Sequence, residues 1–205
     1  MRRRPFSLRS VRGLVAAGLL AGAMLAAVLV GWRLAAARRA AMRPPAEGPQ
    51  AVAAVAAPPP ELRRRGLLLP VQGVDPDALT GSFEDARGGG TRLHQAIDIV
   101  APRGTPVLAV EDGSLVRLHR GGAGGLSVYH LDPSGRYGYY YAHLDRYADG
   151  LREGQLLRRG DVLGYVGTTG NAPPGTPHLH FAVFEVEDPR RPWRGRPVDP
   201  YLLWR

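Results

Sequence analysis

Residues 126–144 read LSVYHLDPSGRYGYYYAHL, two runs of aliphatic and aromatic residues joined by Asp132-Pro133-Ser134-Gly135. Proline presets φ and glycine accepts left-handed backbone, so these four residues suit a tight reversal between Leu126–Leu131 and Tyr137–Leu144. The same punctuation recurs in both directions. Short apolar runs alternate with glycine and proline clusters at a spacing of about 8 to 12 residues, which predicts an all-β fold: an antiparallel sheet, sandwich or barrel. Upstream lie Ile97–Val100 and Pro106–Val110, bounded by Gly88–Gly90, Pro102, Gly104 and Asp112-Gly113. The run before Asp112-Gly113 and Ser114–Leu118 after it read as a hairpin. Downstream come Val162–Val166 and His180–Val186. No segment from residue 67 on sustains a 3.6-residue period over three turns. The folded domain is placed at residues 67–187. The Pro- and Arg-rich tail, 188–205, is expected to pack on it through Trp193, Tyr201, Leu202 and Trp204.

Composition narrows the chemistry. The chain has 205 residues, 27 basic and 18 acidic side chains, a net charge of +9 and no cysteine. Residues 1–66 hold 12 arginines against Glu47 and Glu61, a net of +10, which leaves 15 basic and 16 acidic residues, a net of −1, in the remainder. The folded part therefore lacks the basic excess that nucleic-acid binding needs, and nucleic acid is excluded as a partner. Every basic residue is arginine. Schiff-base chemistry and a phosphate-loop lysine are thereby excluded. Without cysteine, any metal must be held by His, Asp or Glu.

Gly13–Trp32 are 20 uncharged residues, with five arginines in the basic segment 1–12 and four soon after the run. About 20 apolar residues match a bilayer core, so 13–32 is expected to be a transmembrane signal anchor. A cleaved signal is the alternative, because Ala35–Ala37 offer small residues, although its apolar region is usually only about 7–15 residues. The arginine count weakly favours an inside N-terminus, which places the rest of the chain in the periplasm or outside. Residues 33–66 are rich in Pro, Ala and Arg and read as a linker spanning on the order of 30 Å. Arg63, Arg64 and Arg65 read as a solvated boundary.

Six histidines occur: His94, His119, His130, His143, His178 and His180. His178 and His180, two apart at the start of a strand, point to one face roughly 6.5–7 Å apart, while Leu179, Phe181 and Val183 turn to an apolar underside. His94 and Asp98, four apart, lie about 13 Å apart on a straight strand, too far to share an ion. If both are ligands, the chain must bend between them. Period two puts Tyr137, Tyr139, Tyr141 and His143 on one face. His119 and His130 have no partner at useful spacing and read as structural.

His94-x-x-x-Asp98, Tyr141-Ala142-His143-Leu144 and His178-Leu179-His180-Phe181, in that order, resemble the M23 peptidase family of lysostaphin- and LytM-like zinc metallopeptidases. Family-like pieces between them are Gly104–Val107, Ala109–Gly113, Gly160–Gly164 and Gly167–Gly170, and the likeness runs from about residue 70 to 187. At the position of Ala96 the family usually has glycine, and the departure falls where a bend is needed. The resemblance implies an M23-like antiparallel core with a β-barrel-like hybrid motif. It also implies that His94, Asp98 and His180 bind one Zn²⁺ per chain, with His143 and His178 as catalytic histidines. Two neutral imidazoles and one carboxylate leave a net charge of about +1 and an open fourth position, the composition of a catalytic zinc site.

The expected activity is that of a membrane-tethered zinc endopeptidase acting on peptidoglycan stem peptides or cross-bridges. The cell-wall substrate comes from the resemblance and the tether. The alternative is a non-catalytic M23-like protein that binds cell wall or activates an amidase; such members have lost ligands, and all five polar positions are present here. The sequence names no regulatory protein partner.

Overall fold

The structure, a computed structural model, describes residues 57–188, 190–191 and 193–205. The basic segment, the apolar run 13–32 and the linker up to residue 56 lie outside the described residues. Among those described, no helix is long and apolar enough to cross a membrane.

Among the described residues eleven strands follow a short helix, α1 (Pro60–Arg64): β1 (Ala86–Arg87), β2 (Arg92–Leu93), β3 (Ile97–Val100), β4 (Pro106–Leu108), β5 (Gly113–Arg120), β6 (Leu126–Leu131), β7 (Tyr137–Tyr147), β8 (Leu156–Leu157), β9 (Val162–Val166), β10 (His178–Val186) and β11 (Gly195–Val198). β1 and β2 form a small separate hairpin. The other nine share one antiparallel sheet of order β11-β10-β7-β6-β5-β8, with β3 on β10 and β9 joining β7 to β4. The antiparallel all-β expectation holds.

The β6–β7 hairpin forms as its sequence directs. Asp132 N–H and Tyr137 O close the ladder at 2.9 Å, Asp132 Oδ1 accepts from Tyr137 N–H at 2.8 Å, and Gly135 takes the left-handed conformation at φ +73°. The hairpin expected across Asp112-Gly113 does not form. β4 pairs with β9 instead, and Gly113 is the first residue of β5, opposite Leu157. Its glycine serves close approach rather than reversal, since a Cβ there would lie 2.2 Å from Leu131 O.

The core lies on one face of the sheet. Leu179, Phe181 and Val183 of β10 are fully buried there with Tyr139 and Tyr141 of β7 and Ile97 and Ile99 of β3. Alternation across the pleat puts these on the apolar underside and His178, His180 and Ala182 on the other face. Burying Phe181, whose ring centroid is 5.1 Å from that of Tyr141, contributes roughly 1.5–3 kcal/mol. On the opposite face Ala96, Ala142 and Ala182 form a second cluster with Tyr140. Their small side chains make a low floor.

Residues 60–65, within the stretch whose composition reads as linker, are packed. Leu62 is fully buried, and Arg65 Nη1 lies 2.9 Å from Glu111 Oε1 and 2.8 Å from Asp132 Oδ2. Arg63 and Arg64 are exposed as expected, but Arg65 is not a solvated boundary. The tail contributes β11, and Tyr201, Leu203 and Trp204, rather than Leu202, pack against the core.

Candidate metal and catalytic centre

β10 supplies two histidines to one face, and its neighbours bring the rest. His180 stands directly opposite Asp98 on β3 and opposite Ala142 on β7. The bend required between His94 and Asp98 occurs at Gln95, which adopts φ +55°, so β3 begins only at Ile97. His94 is thereby folded back over the strand, with Nε2 at 2.9 Å from Asp98 Oδ1. His180 Nδ1 lies 3.1 Å from the same oxygen and 2.9 Å from His94 Nε2.

These three donor atoms form a near-equilateral triangle. Tetrahedral zinc with bonds of about 2.0–2.1 Å separates its ligand atoms by about 3.3 Å, so the triangle needs to open by only a few tenths of an ångström. Proton placement points the same way. His94 Nδ1 faces Ser82 O at 3.0 Å, and a carbonyl only accepts, so Nδ1 carries the hydrogen and Nε2 presents a lone pair. That lone pair faces a carboxylate oxygen at 2.9 Å, an arrangement that a cation relieves. Asp98 and His180 are partly buried and His94 is buried. Burial alone would raise the Asp98 pKa, yet the adjoining His180 and His94 imidazoles hold it well below the usual carboxylate range. Burial pushes the His180 pKa down. At neutral pH Asp98 is thus an anion and His180 a neutral imidazole. The residues present fit a divalent zinc ion.

His143 and His178 stand beside this triangle. Their ring centroids are 4.9 Å apart, and that of His143 is 5.6 Å from His180. His178 Nδ1–H donates to Thr176 O at 2.8 Å and His143 Nδ1–H to Thr169 O at 2.8 Å. Both rings therefore carry their lone pair on Nε2, and that of His178 lies 3.8 Å from Asp98 Oδ1. Burial lowers the His143 pKa to about 4, opposed by its hydrogen bond to Thr169.

The expectation that His143 shares a face with Tyr137, Tyr139 and Tyr141 is wrong. The tyrosines lie in the core, whereas His143 takes φ +61° and turns to the opposite face. It sits where β7 changes partners, the β10 pairing ending at Ala142 and the β9 pairing beginning at Leu144. His119 and His130 take no part in the centre. His130 is buried on the core side, its Nδ1 accepting from the Tyr141 hydroxyl at 3.2 Å. The carbonyls of Ser82, Thr169 and Thr176, which orient three of the rings, left no signal in the sequence because any residue supplies one.

An antiparallel β protein with a two-histidine, one-carboxylate donor set and two further imidazoles on the open side has the composition of a catalytic metal centre rather than a closed structural one. Residues 92–200 match the profile of peptidase family M23, and the chain belongs to that family. It is 37% identical over 129 residues to an L-Ala--D-Glu endopeptidase of Bacillus subtilis, covering 60% of this chain and 39% of that protein. To the DD-carboxypeptidase/endopeptidase Mpg of Neisseria meningitidis serogroup B it is 38% identical over 109 residues, 53% of this chain and 22% of that one. A putative M23 peptidase from Pseudomonas aeruginosa shares the fold, with a TM-score of 0.52 at 24% identity over 85% of this chain and 60% of that one. The chain thus spans about two-fifths or less of the length of the two sequence relatives.

Proposed function

We propose that the chain is a zinc metalloendopeptidase that hydrolyses peptide bonds in peptidoglycan stem peptides or cross-bridges. The observation that carries this reading is the convergence of His94, Asp98 and His180 on one small volume, with His143 and His178 aimed over it. Zinc held there would polarise a carbonyl oxygen and lower the pKa of a water molecule. The remaining chemistry belongs to the chain. Burial keeps His143 neutral, and the carbonyls of Thr169 and Thr176 fix the tautomers, so two Nε2 lone pairs are presented to a substrate on this face. One imidazole accepts a proton at Nε2 from the attacking water, donates it as a hydrogen bond to the developing oxyanion and then passes it to the leaving amine.

The substrate class is supported by family membership and by relatives named as an L-Ala--D-Glu endopeptidase and a DD-carboxypeptidase/endopeptidase. The apolar run 13–32 supports a single-pass anchor in the cytoplasmic membrane with the domain on the extracytoplasmic side. Two measurements test these statements. Cleavage of purified muropeptides is expected to stop on chelation and return with zinc; chelator-insensitive cleavage contradicts the mechanism. Full-length chain is expected in the membrane fraction after a high-salt wash, whereas a shortened soluble species would mean that the apolar run is a cleaved signal.

A further inference from the structure

Asp98 uses its two oxygens differently. Oδ1 faces His94 Nε2 and His180 Nδ1, whereas Oδ2 accepts from Arg87 Nη2 at 2.9 Å. The contact is partly buried, with the Arg87 side chain 35% and that of Asp98 28% exposed. Arg87 has a weaker second partner in Asp85 at 3.9 Å. It lies on β1, opposite Arg92 on β2, and β2 leads directly into His94. The unit is closed by His94 N–H to Asp85 O at 2.8 Å, Gln95 N–H to Phe83 O at 2.9 Å and the His94 ring to Ser82. One folded segment, 82–95, therefore carries one donor residue and the guanidinium that grips another.

We propose that Arg87 is a positioning residue of the metal centre: by occupying Oδ2 it restricts Asp98 to a single donor oxygen and so keeps the centre at three protein donors. This inference rests on the zinc reading above. A carboxylate free to turn can offer both oxygens to one ion, which fills the position a catalytic site keeps open. A partner on the non-ligating atom of a ligand is the usual means of fixing its orientation, and removing such a partner typically costs about 10–100-fold in metal affinity.

The test uses the full chain, stripped of metal and reconstituted with cobalt(II), whose visible absorption is strong when four-coordinate and weak at higher coordination number. Wild type is expected to give the strong spectrum. Arg87→Gln is expected to weaken it, as Oδ2 joins the ion, and to raise the zinc dissociation constant about 10–100-fold. Arg87→Lys keeps the charge without the planar fork and is expected to change both in the same direction by less, which covers loss of fold in the Gln variant. Arg103→Gln, whose partner is Asp145, is the unaffected control. An Arg87→Gln protein with wild-type spectrum and affinity overturns the inference. Tighter zinc binding with an unchanged spectrum also overturns it, since Arg87 then acts only as a repelling charge. Failure of wild type to take up either metal is a separate outcome, which removes the zinc reading and this one with it.

Discussion

Asp98 Oδ1 lies 2.9 Å from His94 Nε2, although four residues of straight strand would carry the two side chains about 13 Å apart. The chain turns between them at Gln95, held at φ +55°. A left-handed conformation costs an L-residue about 1–2 kcal/mol, and glycine escapes that cost while adding some unfolded-state entropy. Gln95→Gly is therefore expected to leave zinc affinity unchanged and to raise stability by up to about 1 kcal/mol, measured by denaturant unfolding. Gln95→Val, branched at Cβ, is expected to lower both stability and zinc affinity. Equal behaviour of the two variants would mean that the bend does not set the His94 position.

The two histidines of β10 hold separate positions. His180 is opposite Asp98 and within the donor triangle, whereas His178 is opposite Val100 and beside it. His180→Ala is expected to lose zinc in equilibrium dialysis, while His178→Ala keeps it and loses turnover by about 10²–10⁴-fold. Equal zinc loss in both refutes the division.

Gly125 supports the ring of His143 at one remove. It stands at φ +63°, and a Cβ there would lie 2.4 Å from Gly170 N and Thr169 C. Gly125→Ala is expected to cost at least about 2 kcal/mol, from backbone strain and displaced backbone together. Because Thr169 O orients His143, turnover is expected to fall with zinc content unchanged. Full activity in the folded variant would show that the carbonyl does not matter.

His130, outside the centre, sets a pH dependence of stability. Burial lowers its pKa to about 4, against about 6.5 in an unfolded chain. Between these values the unfolded state binds the proton and the folded state does not, so stability present above pH 6.5 is lost as pH falls towards 4. The loss is on the order of 3 kcal/mol. His130→Asn keeps an acceptor for the Tyr141 hydroxyl and is expected to flatten this part of the curve. Parallel wild-type and variant curves would assign the acid loss to other groups.

The facing of His178 and His180 and the β6–β7 hairpin are legible in the sequence, because each follows from period two or a proline-glycine turn; the grouping of His94 with Asp98 and His180 is implied only by the family resemblance, since a straight strand would hold His94 and Asp98 about 13 Å apart. The facing of His143 is not legible, because a single positive φ reverses alternation and nothing in YYYAHL marks where it falls. The Asp112-Gly113 hairpin failed because the same dipeptide also serves where two strands pack closely. The partners of Arg87 and Arg65 are not legible, since their carboxylates stand 11 and 46 or 67 residues away and only the fold brings them together.

The most direct test of the central claim is mass spectrometry of purified sacculi incubated with the zinc-loaded full-length chain, beside chelated protein and His143→Asn. Asparagine tolerates the left-handed backbone at position 143, so that variant is expected to fold and bind zinc. The account requires new amine and carboxylate termini at one defined bond in the stem peptides or cross-bridges, from the zinc-loaded wild type alone. Intact cross-links in every sample, or the same cleavage by the His143→Asn or chelated protein, would contradict it.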